Sequence, residues 1–133
     1  MNIKKIEGIG TTYTTKLSNV GVKTTERLLK DGASKAGRMD MAAKSGISET
    51  LILEWVNLAD LMRVKGVGEE YSDLLEEAGV DTVKELRNRV AGNLHQAMLD
   101  TNMKKRLVRR PPSLSMVKRW VAEAKQLPPI VEY

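Results

Sequence analysis

Apolar residues recur at helical spacing along most of this chain. Tyr13, Leu17 and Val20 fall at i, i+4 and i+7, which predicts a short amphipathic helix that Gly21 ends by adopting positive φ. Thr24 then stands at an N-cap position, opening a second short helix over residues 25–31 that stops near Gly32. In SETLILEWVNLADLM, the residues Leu51, Trp55, Leu58 and Met62 form one apolar stripe with Ser48 as its cap. Thr82 and Glu85 have capping-box spacing. Helices near 92–101 and 103–108 are expected to break at RRPPS, Arg109–Ser113, because proline lacks an N–H and restricts the residue before it. A last helix from Leu114 to Gln126 presents Val117, Trp120, Val121 and Ala124 on one side, and LPPIVEY is extended. No segment alternates like a half-buried strand, so the predicted fold is all-α.

One pattern is written twice. IEGIGTTYTTKLSNVGV, residues 6–22, returns as VKGVGEEYSDLLEEAGV, residues 64–80. Gly8, Gly10, Tyr13, Leu17, Gly21, Val22, Thr24 and Leu28 recur at unchanged spacing as Gly66, Gly68, Tyr71, Leu75, Gly79, Val80, Thr82 and Leu86. A second echo links EWVNLAD around Trp55 to RWVAEAK around Trp120. The expected organisation is a unit over 1–62 and a unit over 63–127, each a glycine segment, linking helices and a closing Trp helix. The two are expected to pack as one compact, pseudo-repeated domain, with an extended tail over 128–133.

Composition narrows the chemistry. With 133 residues, 41% of them hydrophobic and 29% charged, the chain is suited to a small globular fold and not to wholesale disorder. No apolar run approaches the roughly 20 residues of a membrane span. MNIKKIEG lacks the apolar stretch of a secretory signal, which predicts a cytoplasmic location. The absence of cysteine removes disulfide and thiol chemistry, and His95 as the only histidine excludes a His-rich metal site. Neither cofactor nor metal is expected. The net charge of +5 is unevenly spread. Residues 1–45 carry nine Lys/Arg against four Asp/Glu and residues 86–133 ten against three, whereas residues 61–85 carry three against seven. Basic ends around an acidic waist suit one anion-attracting face, although a solvated surface of mixed sign competes with that reading.

The glycine pairs first invite a dinucleotide reading. That site needs a third glycine, a preceding strand and a βαβ unit, and Tyr13 stands where the third glycine would be. The alternative is a tight glycine turn that leads into a helix whose free first-turn N–H groups attract an anion. Apolar-x-Gly-apolar-Gly, a short helix ending in Val-Gly-Val, then Thr and a second short helix, resembles the helix-hairpin-helix motif of many DNA repair, recombination and polymerase proteins. AAKSGISETLILEWVNLADL also resembles the segment after such a motif in the N-terminal domain of RecA-type recombinases. Over nearly the whole chain, the order GIG, AGR, SGISE, WVN, KGVGEEY, LLEEAGVDTVKEL, NLH, VRR and LPP is similar to a bacterial family catalogued as a domain of unknown function and related to helix-hairpin-helix proteins.

The resemblance implies sequence-independent binding of duplex DNA. Gly8, Ile9, Gly10 and the amides of Thr11 and Thr12 would meet a phosphate, with Lys16 one turn on; such contacts position a protein without reading bases. In the second copy Gly66 and Gly68 are kept, but Glu69 and Glu70 stand where the phosphate would arrive. Each carboxylate would repel it by about 1 kcal/mol even at high dielectric, so this copy is expected to be structural or protein-facing. The run KKRLVRRPPS offers Lys104, Lys105, Arg106, Arg109 and Arg110 as further phosphate contacts, with a solvated charge cluster as the competing reading. Tyr13, Trp55 and Trp120 read as core, and His95, Gln96 and Asp100 lack partners at catalytic spacing. Three function classes follow: a non-enzymatic DNA-binding module, which is the preferred reading; a protein-interaction adaptor using the acidic second copy; and a glycosylase-like enzyme, which is discounted because that activity needs a larger helical domain and a catalytic Asp beyond the hairpin.

Overall fold

Local capping and apolar periodicity account for most of the elements in the computed structural model, which describes residues 1–133. After a single 3-10 turn at Ile3–Lys5, the chain forms α1 (Gly10–Asn19), α2 (Thr25–Gly32), α3 (Lys35–Ser45), α4 (Glu49–Leu61), α5 (Glu69–Glu77), α6 (Val83–Leu86), α7 (Ala91–Lys105) and α8 (Leu114–Ala124). The protein is all-α; its only β-type pairing is an isolated bridge between Asn2 and Thr24. No helix is long and apolar enough to cross a membrane.

Four starts are closed by a hydroxyl that accepts a first-turn N–H: Thr24 for α2, Ser34 for α3, Thr82 for α6 and Ser113 for α8. Such a cap is worth about 1 kcal/mol. Ser48 caps α4 in the same way, accepting from Leu51 N–H at 3.3 Å. The capping box at Thr82 is half formed, since the Glu85 carboxylate turns toward Arg89 at 3.9 Å. Two helices differ from the periodic reading. α7 is one continuous helix of 15 residues where two were expected, because nothing between residues 101 and 103 interrupts its hydrogen bonds. α3, which the apolar pattern does not delimit, carries Gly37 in its first turn, where a Cβ would stand 2.1 Å from Asp31 O. Its glycine is thus spent on close approach to α2, and the helix is hidden from a propensity argument.

The chain divides into two packed units, Met1–Asp60 with Ile130–Tyr133, and Leu61–Pro129. In the first, Ile3, Leu17, Leu28 and Ile52 are fully buried, and Trp55 lies with its ring centroid 5.1 Å from that of Tyr13 at 55°. The last residues of the chain belong to this unit. Glu132 N–H donates to Ala33 O at 2.7 Å, and the buried Arg38 guanidinium donates to Gly32 O, Ala33 O and Glu132 O. In the second, Leu74, Leu75, Leu86, Leu94 and Met98 are fully buried, and Trp120 lies 5.2 Å from Tyr71 at 53°. Tilted aromatic pairs at this separation add about 0.5–1.5 kcal/mol beyond area burial.

Candidate nucleic-acid interface

The first glycine turn leads directly into α1. Gly8 and Gly10 have φ of +81° and +71°, a region that costs a residue with a Cβ about 1–2 kcal/mol. Ile9 between them is buried, and its N–H donates to Ile6 O at 3.3 Å. Of the residues expected at a phosphate, Ile9 thus has its side chain anchored in the core and its amide already engaged within the turn. The donors that remain are the amides of Gly10, Thr11 and Thr12, in the first turn of a helix that no side chain caps. Thr11 and Thr12 are exposed, while the next two threonines turn back on the helix, Thr14 to Gly10 O at 2.7 Å and Thr15 to Thr11 O at 3.0 Å. Lys16 is exposed, with its ammonium 5.8 Å from the centroid of the Tyr13 ring. Glu7, immediately before the turn, is also exposed and weakens the local positive potential.

The second turn is built differently. Gly66 has φ of +88°, but Gly68 is extended, at φ −102° and ψ −159°, and serves as N-cap of α5. Its carbonyl accepts Ser72 N–H at 2.9 Å. Glu69 and Glu70 occupy the first turn of α5, where their charge complements the positive end of the helix dipole. Along the same helix Asp73, Glu76 and Glu77 bring carboxylate oxygens within 4.8 Å of one another. The Lys105 ammonium bonds to Glu77, and this contact, with the charges of Glu76 and Asp73, holds the Lys105 pKa above the ordinary lysine value. Lys105 thereby supplies the countercharge of the acidic face.

The rest of the basic run lies on a fixed main chain. α7 is followed by its C-cap Arg106, whose φ of 51° is the one left-handed non-glycine conformation in the protein. Beyond it, the buried Asn102 side chain bonds Val108 in both directions, accepting from its N–H at 2.9 Å and donating to its carbonyl at 3.1 Å. The Tyr71 hydroxyl donates to Arg110 O at 3.0 Å, and His95 Nε2 donates to Pro112 O at 3.0 Å. Lys104, Arg106, Arg109 and Arg110 are exposed around these tethers, and none of them forms an ion pair.

Residues 7–127 match the family described as a domain of unknown function, DUF4332. The chain belongs to that family. No curated protein and no solved structure matches it. The DUF4332 match spans both glycine turns, both Tyr–Trp pairs and the basic run.

Within this DUF4332 chain the candidate residues fall into two sets. Gly8, Gly10, Thr11, Thr12 and Lys16 belong to the first unit, whereas Lys104 to Arg110 belong to the second, together with Gly66, Gly68, Glu69 and Glu70. The basic run therefore shares its unit with the acidic copy, which touches it through Tyr71 and Glu77. Three residues that position the run, Asn102, His95 and Tyr71, carried no such signal in the sequence. Asn102 and His95 reach partners beyond the end of their own helix, and Tyr71 was legible only as a core ring.

Proposed function

We propose that this chain is a non-enzymatic module that binds duplex DNA along its phosphate backbone without reading bases, and that its glycine turns are helix-hairpin-helix motifs. One observation carries the reading: Arg106, Arg109 and Arg110 project unpaired from a main chain tethered at Val108, Arg110 and Pro112. A basic segment already held in one conformation loses less entropy on binding than a free charge cluster, and guanidinium groups suit phosphate oxygens. The uncapped start of α1, with the Gly10, Thr11 and Thr12 amides and Lys16, supplies a second phosphate contact of the kind that helix N-termini make.

Fluorescence anisotropy with a labelled duplex at two salt concentrations tests this. Four phosphate contacts give a log K against log salt slope of roughly −3.6. Lys104→Glu with Arg106→Glu should weaken binding equally on unrelated sequences, and absence of binding at low salt would sink the proposal. The half-buried Glu69 and the exposed Glu70, both in the first turn of α5, favour a second reading, an adaptor that docks a basic protein segment on α5. Saturable binding of a lysine-rich peptide, abolished by Glu69→Gln with Glu70→Gln, would select it.

A further inference from the structure

We propose that the hollow beside the second glycine turn is a binding site for a phosphate monoester. Lys65, Gly66, Met116, Arg119, Trp120 and Glu123 line a cavity of about 380 Å³, within the size range of small-ligand sites. Three donor-bearing residues, Lys65, Arg119 and Trp120, are among those that line it. Trp120 is only 3% exposed, and its Nε1 stands 3.4 Å from the place a Cβ on Gly66 would occupy. That indole N–H can only donate, has no protein acceptor, and is not sealed from solvent. Lys65 and Arg119 are exposed and form no ion pair. Glycine at 66 keeps the approach to the indole open, since any side chain would stand between the ligand and Nε1.

The donor set selects the ligand. An indole N–H, a guanidinium and an ammonium around one hollow suit the three terminal oxygens and the near-double charge of a phosphate monoester better than a singly charged carboxylate. Glu123 also faces the cavity, with Oε2 accepting the Lys65 amide at 2.9 Å. It fixes the turn and leaves one oxygen for a hydroxyl on the ligand, while Lys65 and Arg119 keep the local balance positive. At the matching positions of the first repeat stand Glu7 and Glu54, so the first copy lacks this site.

The site is independent of the duplex-binding reading and is tested on the full chain labelled with ¹⁵N, whose Trp55 and Trp120 give two indole N–H resonances. Adenosine 5′-monophosphate should move the Trp120 resonance along a saturable curve and leave that of Trp55 in place. Adenosine should not move it, and Lys65→Gln with Arg119→Gln should weaken the response by about tenfold or more. A trinucleotide with a 5′-phosphate matching the mononucleotide would identify a strand end as the source, and a weaker response would identify a free phosphorylated metabolite. No Trp120 shift at about 10 mM mononucleotide, or an equal shift with adenosine, overturns the site. Lys104→Glu with Arg106→Glu should leave the Trp120 response intact, which separates failure here from failure of duplex binding.

Discussion

The two glycine turns share eight aligned residues and do not share a conformation. Gly8 and Gly66 both have positive φ, but Gly10 is left-handed at +71° where Gly68 is extended at −102°. α1 consequently begins on its second glycine and α5 one position later. The local hydroxyl bonds differ with it: Thr14 reaches back to Gly10 O, and Ser72 reaches only to Glu69 O. Residues common to both copies set a core contact, the Tyr–Trp pair at 5.1 and 5.2 Å. Residues that differ decide what the turn can attract. Neutral threonines leave the α1 amides open, and glutamates place carboxylates over those of α5.

The largest effect should come from what the copies share. Trp55→Ala and Trp120→Ala should each cost about 3–5 kcal/mol in denaturant unfolding; a strongly unequal pair would show that the ring contacts are not equivalent supports. Next, if the glutamates are what separates the copies, Glu69→Lys with Glu70→Lys should raise duplex affinity by about fivefold per residue, the equivalent of roughly 1 kcal/mol each. Unchanged anisotropy would place the second turn away from DNA. Gly10→Ala should cost about 1–2 kcal/mol because of its left-handed backbone, whereas Gly68→Ala should change stability by no more than about 0.5 kcal/mol. Equal costs would erase the conformational difference between the turns. Arg106→Gly should stabilise the end of α7 by up to about 1 kcal/mol while weakening duplex binding, a split that a purely structural role for Arg106 would not give.

The smallest effect is pH-dependent. Lys105 has a raised pKa from its bond to Glu77, so its contribution is complete below the ordinary lysine pKa and is lost as pH rises through the higher folded value. Lys105→Met should therefore lower stability slightly at neutral pH, with the difference vanishing in strongly alkaline solution. Unfolding curves of both proteins across that range would check it.

Much of the local structure was legible in the sequence. The caps at Thr24, Ser48 and Thr82 and the core placement of both tryptophans follow from near neighbours, and the structure contains them; of the stripe, Trp55 and Leu58 are buried, Leu51 is half-buried and Met62 lies beyond the end of α4. The continuous α7 was not, because a weak apolar stripe gives no reason to join or to split residues 91–105. The candidate site was legible only as a set of residue types. Ile9 stands within the glycine turn, and its amide is engaged by Ile6 O. Lys105 stands within the basic run, and its ammonium serves Glu77.

By itself the sequence determined that the chain is helical, where most helices begin, and which faces they bury, because capping and periodicity act within a few residues. It also determined that the chain is basic with an acidic middle, since charge adds along the chain whatever the fold. Only the tertiary structure decided which charges are free. Asn102, Tyr71 and His95 reach across gaps of 6, 39 and 17 residues to fix the basic run, and Arg38 reaches 94 residues to hold Glu132. Such contacts depend on how helices pack, and the same packing leaves the Trp120 indole N–H facing a cavity.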